Sequence, residues 1–188
     1  MIIKRIFDIF LSLLLIIILG FPFILILIIV KIDSPGPALF FSKRFGKNKK
    51  IFLMPKFRTM KINTPQLATN LLQNSEVYIT KFGIFLRRTS LDEIPQLWSI
   101  LIGDMSFVGP RPALFNQYDL MMLREKYNIH LSTPGLTGWA QINGRDEISI
   151  QQKVLIERFY EKNKNFFLDI KILYLTFLKV VKMKDIKH

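Results

Sequence analysis

The stretch Ile6-Phe7-Asp8-Ile9-Phe10-Leu11-Ser12-Leu13-Leu14-Leu15-Ile16-Ile17-Ile18-Leu19-Gly20-Phe21-Pro22-Phe23-Ile24-Leu25-Ile26-Leu27-Ile28-Ile29-Val30 decides the fold. As one straight helix it would be about 37 Å long, enough to cross a hydrocarbon core of about 30 Å. Gly20-Phe21-Pro22 sits inside the run, and a proline there removes a helical hydrogen bond and forces a kink. The halves Ile6–Leu19 and Phe23–Val30 are each too short to cross alone. Lys4 and Arg5 precede the run; Lys31 and the Lys43–Lys50 cluster follow it. Positive flanks mark the cytoplasmic side. Two such flanks predict a re-entrant helix that dips in, breaks at Pro22 and returns. Hydropathy alone favours an ordinary spanning anchor with a mild kink, because transmembrane helices tolerate proline. The length of the run, and the lack of a small-x-small site after it, argue against a cleaved signal.

Charge reinforces the membrane reading. The chain has 188 residues, with 27 Lys+Arg against 14 Asp+Glu, a net charge of +13 and a mean hydropathy of +0.28. High charge together with high hydropathy points to a membrane surface, and so much Ile, Leu and Phe excludes a disordered chain. Most of the net charge lies in residues 1–61, where Asp8 and Asp33 are the only acids. The basic residues flank an apolar helix rather than a groove-reading motif, so nucleic acid is excluded as a partner. Cysteine is absent, which rules out disulfides, a thiolate nucleophile and cysteine-held metals. His130 and His188 are the only histidines, too few and too far apart for a histidine metal site or relay. Catalysis must then come from carboxylates, hydroxyls or amines.

Beyond the run, Asp33-Ser34-Pro35-Gly36-Pro37 is a boundary of turn residues. Ala38–Phe45 and Ile51–Phe57 read as two strands of a hairpin around Gly46-Lys47-Asn48-Lys49. Asn63–Thr80 is polar and without clear period. Asn116–Tyr127 and Gln151–Lys162 read as helices, and Pro134–Arg145 as a glycine-rich loop. In Asn165–Lys187, Phe166, Phe167, Ile170, Leu173, Phe177, Val180 and Val181 recur at helical spacing among Lys171, Lys179, Lys182 and Lys184. That pattern predicts an interfacial amphipathic helix with snorkelling lysines; a packed surface helix is the plain alternative. The expected class is α+β, mainly helical, with an N-terminal re-entrant membrane helix over residues 1–32, a small β-hairpin and interfacial amphipathic helices. Residues 33–188 are expected to form a second, membrane-associated domain on the cytoplasmic side.

Ser90-Leu91-Asp92-Glu93-Ile94-Pro95-Gln96-Leu97-Trp98 opens a helix. Ser90 and Glu93 fit a capping box, a sufficient structural reason for both. The same position suits chemistry. Amide dipoles in a first helical turn favour an ionised carboxylate and can receive a phosphate, and Arg87 and Arg88 stand just upstream. A carboxylate that attacks phosphorus has precedent in aspartyl-phosphate enzymes. In Gly103–Pro112, two prolines bracket Arg111 and hold out its guanidinium as a bidentate fork. In Thr133–Arg145, Gly135, Gly138 and Gly144 allow close backbone approach to a ligand, Trp139 offers a flat face, and Gln141, Asn143 and Arg145 offer polar contacts to a sugar or diphosphate. A turn-rich surface loop explains the same residues. Neither loop matches a Walker A or dinucleotide fingerprint.

Four segments follow in order: Lys56-Phe57-Arg58-Thr59-Met60, Arg88–Leu97, Gly103–Pro112 and Pro134–Arg145. Together they resemble the monotopic phosphoglycosyl transferases, the bacterial sugar transferases that start lipid-linked glycan assembly, in their minimal core form. The resemblance implies a re-entrant helix with both ends in the cytoplasm, on the bacterial inner membrane. It implies a UDP-sugar donor, undecaprenyl phosphate as acceptor, and Mg²⁺. Asp92 matches the nucleophile that forms a phosphosugar intermediate and releases UMP before the lipid phosphate attacks, a ping-pong route. Glu93 matches the second member of the dyad, which helps bind Mg²⁺ or handles the acceptor. Arg87, Arg111 and Arg145 match arginines near the phosphates, and Arg58 a basic residue of the first motif. The family often carries Ser-Pro at the helix break, where this chain has Phe21-Pro22; the lost hydroxyl puts the break angle in doubt. The identity of the sugar stays open, as does whether the Phe-rich surfaces face membrane lipid or a second protomer in a homodimer.

Overall fold

The computed structural model describes residues 2–64, 75–144 and 148–181. Most of the polar stretch 63–80, all of Arg145, and Lys182 and Lys184 of the C-terminal pattern lie outside the described residues.

Helix α1 (Ile2–Asp33) is one helix of 32 residues with Pro22 inside it, about 48 Å long at 1.5 Å per residue. The two halves expected from the sequence therefore form a single secondary-structure element. Positions 4, 8, 12, 15, 19, 23, 26 and 30 recur at helical spacing along one stripe that passes Pro22 without losing phase. Along that stripe Asp8, Ser12, Ile26 and Val30 are buried, while Leu15, Leu19 and Phe23 pack on core residues. The opposite face carries Ile3, Ile6, Phe10, Ile17, Phe21, Ile24 and Ile28, all largely exposed.

Both ends of α1 are tied to the rest of the chain by polar bonds. At its start, Lys4 Nζ donates to Val108 O (2.8 Å), to Tyr160 Oη (3.2 Å) and to Asp169 (2.6 Å). Arg5 donates to Ile100 O and Leu101 O at 2.6 and 2.7 Å, carbonyls in the last turn of α4 (Gln96–Ile102), where Ile100 O also accepts from Gly103 N. Asp8 accepts from Phe107 N at 3.2 Å. At its other end, Asp33 accepts from Phe82 N at 3.1 Å, in the first turn of α3 (Lys81–Thr89). Arg58 then donates to the Ser34 and Pro35 carbonyls of the following link.

The hairpin is as the sequence reading placed it: β1 (Leu39–Phe45) pairs antiparallel with β2 (Ile51–Phe57), in register from Leu39↔Phe57 to Phe45↔Ile51. Directly opposed residues share a face. Phe40, Ser42 and Arg44 therefore lie on the same inner face as Lys56, Met54 and Phe52. Phe52 and Met54 join Leu97, Ile100, Phe107 and Ile172 in the main core; each such side chain contributes about 1.5–3 kcal/mol on burial. A short helix α2 (Ser75–Tyr78) precedes α3. Thr80 caps α3 by accepting from Gly83 N.

The sequence reading has loops where the structure has a second sheet. Strand β3 (Ser106–Val108) pairs in parallel with β4 (Gly135–Thr137), and the connection carries α5 (Tyr118–Lys126). Three-residue strands are too short to show a period. Helix α6 (Trp139–Asn143) follows, then α7 (Ile150–Asn163), opened by a Ser149/Gln152 capping box, and α8 (Phe166–Val181). The two sequence-predicted helices 116–127 and 151–162 correspond to α5 and α7, and the C-terminal pattern to α8.

The glycines of the fourth motif serve this crossing. A Cβ on Gly135 would lie 2.1 Å from Gly109 N, and one on Gly138 would lie 2.1 Å from Gly109 O. They make room for backbone rather than for a ligand. Gly144 likewise packs on the Ile148 side chain. Gly135→Ala is expected to cost about 1–3 kcal/mol through forced overpacking, read as a lowered melting temperature in detergent; an unchanged Tm would refute this close-packed crossing.

Candidate active site

The site forms where α3 ends and α4 begins. Ser90 adopts φ +58 and stops α3; Leu91–Glu93 makes one 3-10 turn, and Pro95 leads into α4. The expected capping box does not form: the Ser90 side chain makes no capping bond, and Glu93 N instead donates to Ser90 O at 3.2 Å. A left-handed Ser90 turns its hydroxyl away from the amides it would cap. Ile94 N, Leu97 N and Trp98 N donate to Leu91 O, Ile94 O and Pro95 O. The tight turn thus uses the very donors expected to face Asp92.

The two carboxylates are received by the inner face of the hairpin. Lys56 Nζ lies 3.3 Å from Asp92 Oδ2 and 2.7 Å from Glu93 Oε1. Arg111 Nη2 lies 2.6 Å from that same Glu93 oxygen. Arg87 donates from Nε to the buried Thr59 hydroxyl at 3.0 Å and feels the charge of Asp92; burial lowers its pKa. Arg111 is set from behind: Arg124 donates to the Arg111 carbonyl at 2.9 Å while making a buried bidentate pair with Glu157 at 2.6 and 2.8 Å.

These surroundings divide the two carboxylates. Burial raises the Asp92 carboxyl above its ordinary range, a rise that Glu93 reinforces and Lys56 only partly offsets. The sequence expectation of a dipole-stabilised Asp92 is thereby reversed. Burial also acts to raise Glu93, but Arg111 and Lys56 outweigh it and hold Glu93 well below the usual carboxylate range. Adjacent residues thus acquire different chemistry, one a carboxylate of enhanced basicity and the other a fixed anion.

Asp92, Glu93, Arg87 and Arg111 come together as the sequence suggested. Arg88 is exposed on α3. Arg58 is buried and its guanidinium is taken up by the Ser34 and Pro35 carbonyls. Gln141 lies over Gly138, its amide buried without a hydrogen-bond partner among the described residues. Lys56 was quoted in the sequence motif without a role. Its signal was strand parity: it continues the core-facing row Phe52, Met54, and a lysine on a buried row needs an anion.

No group of three or more acidic or histidine ligands occurs among the described residues. Mg²⁺ is commonly held by one or two carboxylates plus substrate phosphates. Asp92 and Glu93 already converge on one cation, the Lys56 ammonium, so this hard-oxygen pair fits such an ion.

The chain belongs to the bacterial sugar transferase family, whose model matches residues 1–183. It is 40% identical over 188 residues to the sugar transferase EpsL of Bacillus subtilis, covering all of this chain and 92% of that protein. It is 40% identical to the UDP-glucose:undecaprenyl-phosphate glucose-1-phosphate transferase of Escherichia coli, and 35% to the undecaprenyl-phosphate galactose phosphotransferase of Salmonella typhimurium. Those matches cover 94% and 97% of this chain, but only 39% and 41% of the two relatives.

The opposed pKa shifts predict opposed stabilities. A raised folded pKa means that Asp92 opposes folding at pH values above its unfolded pKa. A depressed one means that Glu93 supports folding above its unfolded pKa, a contribution lost as pH falls toward the folded value. Asp92→Asn is therefore expected to raise Tm at neutral pH, and Glu93→Gln to lower it by about 2–4 °C for each kcal/mol lost. Thermal melts of the two variants in one detergent check this; shifts of the same sign would refute it.

Proposed function

We propose that the chain transfers a sugar-1-phosphate from a UDP-sugar to undecaprenyl phosphate. The observation that carries this reading is the buried Asp92–Glu93 pair, held together by Lys56 and flanked by Arg87 and Arg111. The Escherichia coli and Salmonella typhimurium relatives are named for undecaprenyl phosphate with glucose and galactose, which supports the class of acceptor and leaves the sugar open.

An Asp92 oxygen attacks the phosphorus that bears the sugar. The bond from that phosphorus to the bridging oxygen breaks, and UMP leaves with the electron pair. A phosphate oxygen of undecaprenyl phosphate then attacks the same phosphorus, the Asp92 carboxylate leaves, and undecaprenyl diphospho-sugar is formed. The raised pKa of Asp92 makes it the better nucleophile of the two carboxylates. Glu93, held ionised, is a poor proton acceptor; its work is to hold Lys56 and Arg111 where phosphate charge develops. Lipid phosphate is already ionised at neutral pH and needs no strong base. Mg²⁺ held by Asp92 and Glu93 would supply charge neutralisation of the diphosphate. Arg145, at the end of the fourth motif, is proposed as a further phosphate contact, and Gln141 as a contact to the nucleotide-sugar.

The membrane arrangement follows from α1. The helix is long and apolar enough to cross a membrane, and only 11% of its most apolar window is buried. Yet Lys4 and Arg5 at one end and Asp33 at the other are bonded to the same folded body. We read α1 as dipping into one leaflet of the inner membrane with both ends, and the catalytic face, on the cytoplasmic side. The chain lacks cysteine, so Ile2→Cys and Lys50→Cys are clean probes. Both are expected to react from the cytoplasmic side of oriented vesicles; labelling of Ile2→Cys from the other side alone would refute a monotopic topology.

Purified protein with undecaprenyl phosphate, Mg²⁺ and a panel of UDP-sugars is expected to release UMP with at least one donor, and Asp92→Asn to release none. Normal turnover by that variant would remove Asp92 as the nucleophile. The rate should fall as pH drops through the raised Asp92 pKa. Lys56→Met, which removes the nearest cation, should move this acid limb to higher pH; a shift to lower pH would contradict the assigned electrostatics.

A further inference from the structure

Arg44 has no role in the account above. It lies on the inner face of the hairpin, two same-face rows along from Lys56. Its Nε donates to the buried Ser42 hydroxyl at 3.0 Å, and its Nη1 donates to Pro112 O at 3.2 Å. The backbone around it grips the same segment: Phe45 N donates to Ala113 O at 2.9 Å, and Phe115 N to Lys43 O at 3.3 Å. Arg44 is thus fixed beside the loop that carries Arg111.

This arginine lacks the partner that buried arginines usually have. Among the described residues no carboxylate lies within ion-pairing distance of it. Burial, with the neighbouring charge of Arg111, pushes its pKa down to about 10, against which Glu93 pulls only weakly. Glu93 Oε1 is already shared by Lys56 and Arg111. Four cations (Arg44, Lys56, Arg87 and Arg111) therefore surround two carboxylates. The like charges of Arg44 and Arg111 oppose each other. An oxyanion between them reverses the sign of that interaction and uses both planar forks.

We propose that Arg44 and Arg111 together form a two-guanidinium site for a phosphoryl group of the substrate. Arg44 is the rigid half, oriented by Ser42 and the Pro112 carbonyl. Arg111 is the half that exchanges between Glu93 and the ligand. The inference rests on the phosphotransfer reading above and adds to it a binding residue from the hairpin. The recognised chemistry is a phosphate oxyanion, which comes either from the nucleotide or from the lipid phosphate.

The full chain in detergent is titrated by calorimetry with pyrophosphate, UMP and undecaprenyl phosphate, as wild type and as Arg44→Gln. Glutamine keeps a donor for Pro112 O but removes the charge. Wild type is expected to bind pyrophosphate, and Arg44→Gln to bind it at least about 10-fold more weakly, with Tm unchanged or raised because a like-charge contact is gone. A parallel loss for UMP assigns the site to the nucleotide; a loss for undecaprenyl phosphate assigns it to the lipid. Equal affinities of both proteins for all three ligands, or no binding by wild type, would overturn the site. If Arg44→Gln does not fold, Arg44→Lys replaces it; weakened pyrophosphate binding supports the proposal and undiminished binding overturns it. Arg44-dependent pyrophosphate binding without UMP release from any UDP-sugar would sink the transfer reading and leave this site standing. UMP release with binding indifferent to Arg44 would do the reverse.

Discussion

One ammonium group organises the site. Lys56 Nζ reaches Asp92 and Glu93 together, and without a cation between them two adjacent buried carboxylates would repel each other into solvent or share a proton. Its placement depends on a chain of packing decisions. The hairpin must present its inner face, Phe52 and Met54 must be buried for Lys56 to follow them inward, and the turn at Ser90 must aim both acids at the strand. Arg111 completes the pairing from a third segment, and the buried Arg124–Glu157 pair holds its backbone in place. The site is therefore a junction of three motifs that are distant in sequence, and no one of them could form it alone.

The division between the carboxylates follows from the same arrangement. Glu93 receives two cations on one oxygen and becomes a fixed anion. Asp92 receives one longer contact in a buried position, and burial raises its pKa. Two like residues next to each other in the chain come to differ because strand β2 and the Arg111 loop approach from the Glu93 side. A single Asp-Glu step thus yields two carboxylates of different basicity.

What was legible in the sequence was whatever carries a period or a strong local preference. The apolar run gave α1, alternation with a turn gave the hairpin, and helical spacing gave α5, α7 and α8. The resemblance in four motifs brought Asp92, Glu93, Arg87 and Arg111 to one place. Three matters were hidden. The β3–β4 pair is too short to show alternation, and its glycines looked like a ligand loop because close approach to a backbone and close approach to a ligand demand the same residue. The capping box at Ser90–Glu93 was a sound local preference that a left-handed Ser90 overrode. Lys56 and Arg44 were hidden because parity along a strand shows which face a residue joins, but not what that face meets. The polar residues of α1 did carry unread information. Lys4, Asp8 and Ser12 are spaced by four, and polar groups in an otherwise apolar helix mark the side that faces protein.

The bonds at the start of α1 also impose an order on how the molecule is made. Lys4 joins Tyr160 and Asp169, which lie 156 and 165 residues further along the chain. The ribosome delivers α1 long before those partners. Until they emerge, the Lys4 ammonium lacks both of these partners, and an ammonium on an apolar helix favours a water-facing position. Only when α7 and α8 emerge does the last polar bond close. Their arrival is thus also the moment at which α1 and the rest of the fold become one object.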